Sequence, residues 1–215
     1  MLIEAFVVSA EQARAAEEAG ADRLELCGPG EGGLTPSDDL LRAVLAQSRI
    51  PVHVMIRPRE GDFFYSPDEI DTMRRDIEAA KRAGAAGVVV GVLREDRTID
   101  AERMWEFIGR ARAMRVAFHR AFDQTPDADV AFDTLRALGV DIVLTSGHAA
   151  TALDGAETIA RHVARAGDRL VVLAGGTVRA ANVREIAERT AVREVHASAM
   201  DANEFAALVK TLRPR

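Results

Sequence analysis

The sequence predicts an α/β protein, a single-domain (β/α)8 TIM barrel that extends over residues 1–215. Eight short apolar runs alternate with amphipathic stretches of helical periodicity, as strands and crossover helices of a parallel barrel do. The alternative is a doubly wound open sheet, which would carry a glycine-rich phosphate loop after its first strand. The segment VVSAEQA (7–13), which follows the first apolar run, has no glycine. The barrel is therefore the predicted fold.

The strand candidates are short, rich in β-branched residues and often bounded by Gly, Pro or Asp. They are residues 2–7, 23–27, 51–57, 87–93, 115–122, 141–146, 170–176 and 194–198. Runs of this kind are typical of strands that are buried on both faces of a parallel sheet.

Helical patterns separate these runs, most clearly in residues 66–84. Apolar residues three and four positions apart mark one face of this segment. Ser66 is placed as its N-cap and Gly84 as its C-terminal cap. The pattern of residues 201–212 predicts the eighth helix.

Composition narrows the function classes. The chain is 48% hydrophobic and 29% charged, with a formal net charge of −6, and has no basic cluster interleaved with aromatics. Nucleic acid and anionic membranes are therefore not expected as partners. No apolar run approaches the roughly 20 residues of a membrane span. The single cysteine, Cys27, excludes an intramolecular disulfide. We expect a soluble cytoplasmic protein with a small molecule or a metal as its ligand.

Polar residues near the strand ends are the candidate site, because alternate strand residues point into a barrel and the carboxyl ends carry its chemistry. Glu4, Glu25, His119 and Asp123 are the predicted catalytic residues. On strand alternation, His119 and Asp123 lie on one face and Arg120 on the other. Two structural alternatives stay open. Glu4 would form an ion pair with an arginine inside the barrel, or Arg120 would pair locally with Asp123.

A predicted anion site completes the barrel mouth. The loop 57–66 supplies Arg57, Arg59 and Asp62 as a lid, although an ordinary packed loop is the alternative. The other predicted substrate- or anion-binding residues are Arg120, Ser146, Gly147, Gly175, Gly176, His196 and Ser198. Backbone N–H groups of such late loops bind phosphate in many barrels, but glycines there also simply form turns.

The remaining histidines are expected to have structural or solvated roles. His53 lies early in its strand and is expected in the core or at the bottom of the barrel. His148 and His162 are expected to be solvated, with His162 on a helix.

The motifs GADRLELC (20–27), EGGLTPS (31–37), IPVHVMIRPREGDFFYS (50–66), FHRAFD (118–123) and VLTSG (143–147) resemble those of the CutC copper homeostasis family. The resemblance covers about residues 2–199. It implies a TIM barrel, a cytoplasmic location, copper binding and a homo-oligomer, with Cys27 as a metal ligand. Copper-binding members are expected to have a second cysteine on the first strand, where this chain has Phe6.

Two hypotheses follow. The first is a cytoplasmic copper homeostasis protein that binds Cu(I) weakly through Cys27, since thiolate and thioether are the ligands that Cu(I) prefers. The second is a barrel enzyme that acts on a small anionic or sugar-like metabolite through its acid–base residues. The missing second cysteine favours the enzyme.

Overall fold

The computed structural model describes residues 1–213 and shows the predicted closed barrel of parallel strands. The strands pair in chain order, and β1 closes the barrel against β8. The eight strands are β1 (Leu2–Val7), β2 (Arg23–Leu26), β3 (Val52–Ile56), β4 (Gly87–Val90), β5 (Arg115–Phe118), β6 (Ile142–Thr145), β7 (Val171–Ala174) and β8 (Glu194–Ser198).

A helix follows each strand and packs on the outside of the barrel. The helices are α1 (Ala10–Ala19), α2 (Asp38–Gln47), α3 (Pro67–Ala83), α4 (Ala101–Ala111), α5 (Ala128–Leu138), α6 (Ala156–Ala166), α7 (Val183–Thr190) and α8 (Ala202–Leu212). Across residues 1–213, no helix combines the length and the apolar character needed to span a membrane.

The ends of α3 confirm the predicted caps. The Ser66 hydroxyl accepts the backbone N–H of Glu69, and the Glu69 carboxylate accepts the backbone N–H of Ser66, which together form a capping box. Gly84 ends the helix in the left-handed region, with φ of 89°. Glycine adopts this conformation at little cost because it has no Cβ.

Strand alternation separates two packed layers, as predicted. Val52, Val54 and Ile56 of β3 belong to the large core between the sheet and the helices. Met55 points the other way and belongs to a second cluster with Cys27. The odd-numbered residues of β2 and β3 therefore face the barrel interior.

The predicted fifth strand is too long. It ends at Phe118 rather than at residue 122, because Arg120–Gln124 forms a 3-10 helix. His119 caps that helix: its Nδ1 accepts the backbone N–H of Ala121 at 3.1 Å. The prediction that Arg120 and Asp123 lie on opposite faces is therefore wrong, since a 3-10 helix places residues i and i+3 side by side. Their side chains form an ion pair at 2.8 Å.

Candidate functional site

A cavity of about 670 Å³ opens at the carboxyl ends of the strands. Its wall is formed by strands β1, β2, β3, β6 and β8 and by the segments after β2, β3, β5, β6 and β7. Many of the predicted site residues meet here. Those that line the cavity are Glu25, Arg57, His119, Arg120, Asp123, Gly176, His196 and Ser198.

The other predicted site residues do not line the cavity. They are Glu4, Cys27, Arg59, Asp62, Ser146, Gly147 and Gly175. Arg59, for example, binds the carboxylates of Glu69 on α3 at 2.6 Å and of Asp62 in its own loop at 2.9 Å. Its guanidinium is thus occupied by the protein.

A buried ion cluster lies below the cavity, inside the barrel. Arg23 binds the carboxylate of Glu4 and, at 2.7 Å, that of Glu194. This confirms the structural alternative for Glu4. Burial alone would raise the pKa of Glu4, but the hydrogen bond from His196 and the charge of Arg23 outweigh it and lower that pKa to about 2. Glu4 is therefore a fixed anion near neutral pH.

Arg23 is a member of this buried ion cluster that the sequence reasoning did not identify. The signal was present, because Arg23 has the same strand parity as Glu25 and Cys27 and so points into the barrel. A buried arginine in a strand implies buried carboxylates around it.

His196 connects the ion cluster to the cavity. Its Nδ1 lies 2.8 Å from Oε1 of Glu4, and its Nε2 lies 3.7 Å from Oε2 of Glu25. Burial works against the charged ring, but the charges of Glu25 and Glu4 and the Glu4 hydrogen bond raise the pKa of His196. The imidazole therefore stands between a fixed carboxylate and a second carboxylate at the cavity.

Glu25 is the carboxylate that can exchange a proton near neutral pH. Burial raises the pKa of Glu25, and the negative charge of Glu4 raises it further, while the charge of His196 lowers it. The resulting pKa is about 7. The thiol of Cys27 contacts its Oε2 at 3.7 Å, while its Oε1 has no hydrogen-bond partner within residues 1–213. A buried carboxyl with this pKa is suited to general acid–base catalysis.

His119 presents a neutral imidazole to the same cavity. Burial and the charge of Arg57 lower its pKa to about 3. Because Nδ1 accepts from Ala121, the proton of the neutral ring sits on Nε2. That Nε2 is buried and has no partner in the described part of the chain. Gly91 leaves room for the ring, since a Cβ there would lie 2.7 Å from Nδ1.

Arg57 joins the loops that follow β2 and β3. Its guanidinium donates to the backbone carbonyls of Glu31 at 2.6 Å and Gly61 at 3.0 Å, and it lies over the Phe63 ring. Its Nε is buried without a partner among residues 1–213. Arg57 therefore both fastens the predicted lid and retains one free donor.

Asp123 is a hub for the loop after β6. Its carboxylate accepts from the hydroxyl of Thr145 at 2.5 Å, from the backbone N–H and hydroxyl of Ser146, and from Arg120. Arg120 also donates to the Ser146 hydroxyl at 2.8 Å. The geometry of Asp123 is thus that of a positioning residue, and the predicted local pairing with Arg120 is present.

The remaining histidines differ in how they compare with expectation. His53 is buried inside the barrel, as expected. The expectation for His162 is wrong: it is fully buried, because it lies on the inner face of α6, where its ring stacks on Phe132 at 4.4 Å. His148 is partly buried and lines the cavity.

Two sets of side chains bear on metal binding. Glu4, Glu25 and His196 offer ligand atoms within 4.8 Å of one another, but Glu4 is already neutralised by Arg23. Cys27 is a buried free thiol whose pKa is raised by burial and by Glu25. Cu(I) binds soft thiolate and thioether ligands. The chain has one cysteine, and its raised pKa disfavours the thiolate. These residues therefore do not form the paired-thiolate site of the copper-binding family members.

Comparison with known proteins agrees with the fold. A model of the CutC family matches residues 1–201. The human copper homeostasis protein cutC homolog is 47% identical over 199 residues, which are 92% of this chain and 73% of the human protein. A CutC family protein of Photobacterium profundum is 42% identical over 197 residues, 91% of this chain and 80% of the relative. A crystal structure of CutC from Streptococcus agalactiae superposes with a TM-score of 0.86 at 30% identity, covering 93% of this chain and 98% of that one.

Proposed function

The chain belongs to the CutC family, and from that premise and the geometry of the barrel mouth we propose that it is a barrel enzyme. Its substrate would be a small anionic or sugar-like metabolite. One observation carries the proposal: Glu25 Oε1, Arg57 Nε and His119 Nε2 are buried, lack partners within residues 1–213, and belong to side chains lining one cavity. Buried polar atoms are costly unless they are hydrogen-bonded. A ligand rich in oxygen atoms would satisfy all three.

The proposed roles follow from the surroundings of each group. Glu25 would act as the general acid or base, because its pKa is about 7. Glu4 and His196 would position it and set its charge. Arg57 would bind an anionic group through its free Nε, with Arg120 at the rim.

The lysines argue against imine chemistry in this barrel. The sequence contains only Lys81 and Lys210, which are exposed on α3 and α8. A Schiff base with a carbonyl substrate needs a lysine amine at the reacting carbon. Proton transfer by a carboxyl group is therefore the chemistry that we propose.

The test is a survey by NMR of sugars, sugar phosphates and hydroxy acids, incubated with the wild-type protein and with Glu25→Gln. We expect at least one compound to be converted by the wild type, and a rate lower by about 10²- to 10⁴-fold in the variant. Glu188→Gln is the matched control, because Glu188 is an exposed glutamate on α7. If no compound is bound or converted by the wild type, or if Glu25→Gln is as active, the proposal fails.

Copper binding is the second candidate function. It is favoured by the name of the human relative, a copper homeostasis protein homolog, and by the packing of Cys27 and Met55 in one interior cluster. Competition titration with a Cu(I) chelator tests it in the wild type, Cys27→Ala and Met55→Leu. Loss of affinity in both variants supports a thiol–thioether site. Equal affinity in all three proteins excludes one.

We also propose that the protein is a single-domain, cytoplasmic homo-oligomer without nucleic-acid or membrane partners. The net charge of −6 and the reduced, buried Cys27 support this location and these partners. Exposed large apolar side chains, Trp105 above all, support self-association. Light scattering coupled to size exclusion measures the oligomer, and a monomer at micromolar concentration would contradict it.

A further inference from the structure

We propose that Glu25 and His119 act as a base and an electrophile that together move a proton between neighbouring carbons of a small hydroxy-carbonyl compound. The proposal rests on the function proposed above and deepens it, because it names the substrate class and the reaction. It depends on two side chains that line the same cavity and each carry a buried polar atom without a hydrogen-bond partner among residues 1–213.

The base is Glu25, which is only 2% exposed yet lines the cavity. Its Oε1 is buried and has no partner within residues 1–213, so this oxygen keeps its full hydrogen-bonding capacity. The titratable and charged groups around it are Glu4, Cys27, His196 and Arg23. None of them donates a short hydrogen bond to Glu25: the Cys27 thiol and His196 Nε2 both lie 3.7 Å from its Oε2.

The electrophile is His119, which is 4% exposed and lines the cavity. The Ala121 N–H occupies its Nδ1 and so fixes the tautomer with the proton on Nε2. A neutral imidazole with a buried, unpartnered N–H can donate to a carbonyl oxygen and to the oxyanion that develops on it. Burial, together with the nearby charge of Arg57, keeps the ring neutral by lowering its pKa.

These two groups suffice for an isomerisation. Glu25 takes the proton from the carbon next to the carbonyl. The electron pair of the broken C–H bond then forms a C=C bond with the carbonyl carbon. The carbonyl oxygen becomes an enediolate oxygen that accepts from Nε2–H of His119. Protonated Glu25 then returns the proton to the former carbonyl carbon. His119 gives its Nε2 proton to the enediolate oxygen and takes the hydroxyl proton of the other carbon in exchange, so that the carbonyl reforms on the carbon that lost its proton. No oxidant, reductant or cofactor is required, and the enzyme ends as it began.

The rim defines the rest of the substrate. Arg57, Arg120 and Arg179 line the same cavity as Glu25. A phosphate or carboxylate at one end of the compound would meet these guanidinium groups, which bind such anions well. The substrate class is therefore a short hydroxyaldehyde or hydroxyketone that carries an anionic group.

The experiment measures deuterium incorporation from D₂O, by NMR, at the carbon next to the carbonyl of three probes. The probes are D-erythrose 4-phosphate, D-ribulose 5-phosphate and uncharged D-erythrulose. We expect exchange with a phosphorylated probe and slower exchange with erythrulose. The rate should rise with pH through about 7, because Glu25 must be deprotonated to act as the base. Glu25→Gln should lose the exchange, which also excludes a contaminating isomerase.

Two substitutions of His119 separate its proposed role as a hydrogen-bond donor through Nε2 from its role as the cap of the 3-10 helix through Nδ1. Asparagine can accept the Ala121 N–H as the Nδ1 does but cannot reach the Nε2 position, so His119→Asn keeps the cap and removes the donor. We expect about 10²-fold slower exchange, with binding of the probes retained. His119→Gln places an amide donor near Nε2, and we expect it to be more active than His119→Asn.

The outcomes separate this inference from the proposed function. If the probes stabilise the protein thermally and Arg57→Gln abolishes that effect, but the wild type shows no exchange, this inference is wrong and the binding site stands. Exchange that His119→Asn leaves unchanged also overturns it. If the probes neither bind nor exchange, the inference is wrong, while the wider survey still tests the proposed function.

Discussion

Substitution of Gly91 by alanine tests how tightly His119 is held. A Cβ at Gly91 would lie 2.7 Å from Nδ1 of His119 and closer still to its Cε1, far inside van der Waals contact. The ring cannot move away freely, because it packs against Phe63 at 4.8 Å and Phe118 at 5.9 Å between centroids. It is also fixed by the Ala121 N–H.

Overpacking of this kind costs about 1–3 kcal/mol. Alanine recovers about 0.4–1 kcal/mol by restricting the unfolded chain, and the φ of Gly91 lies outside the left-handed region. We therefore expect Gly91→Ala to lower the free energy of unfolding by about 1–2 kcal/mol. For a chain of this length the midpoint of thermal unfolding should fall by roughly 2–8 °C.

Gly109→Ala is the matched control. Gly109 lies within α4, and nothing lies within 4 Å of the position that its Cβ would take. Alanine is favoured over glycine in a helix by about 1 kcal/mol, so this variant should be more stable than the wild type. Urea denaturation measures both. If Gly91→Ala is as stable as the wild type, the ring of His119 is not confined and its assigned tautomer loses support.

Three further predictions concern the buried charges and the thiol. Arg23→Gln leaves the carboxylates of Glu4 and Glu194 buried without their cation. We therefore expect urea denaturation to show a free energy of unfolding lower by about 3–5 kcal/mol. A decrease below about 1 kcal/mol would contradict the buried ion cluster. The pKa of Glu25 is raised on folding to about 7, so its contribution to stability is complete below pH 4.5 and disappears as the pH rises through 7. Glu25→Gln should therefore gain stability relative to the wild type, on the order of 3 kcal/mol, between pH 4.5 and pH 8; an unchanged difference would exclude the raised pKa. Burial and the neighbouring carboxylate raise the pKa of Cys27, so its thiol should react with Ellman's reagent only after denaturation, and fast reaction of the folded protein would show that the thiol is accessible.

Most of the architecture could be predicted from local patterns. Residues 2–7 and 194–198 were predicted as strands with the bounds that the structure shows, and the capping residues of α3 were identified. These features depend on residues close in sequence. The fifth strand was predicted too long for the same reason: VAFHRAF has the apolar character of a strand, but the bond between His119 and Ala121 turns the backbone into a 3-10 helix.

The sequence by itself determined the barrel, the family and the group of polar residues that face its mouth. Strand alternation pointed Glu25 inward, and the strand end placed His119 near it, without saying what either would do. Only the tertiary structure decided that Glu4 is neutralised by Arg23 and that His196 bridges Glu4 to Glu25. The reason is physical: a side chain's charge depends on its burial and on neighbours that lie far away in the sequence. His196 and Glu4 are 192 residues apart along the chain and 2.8 Å apart in the barrel.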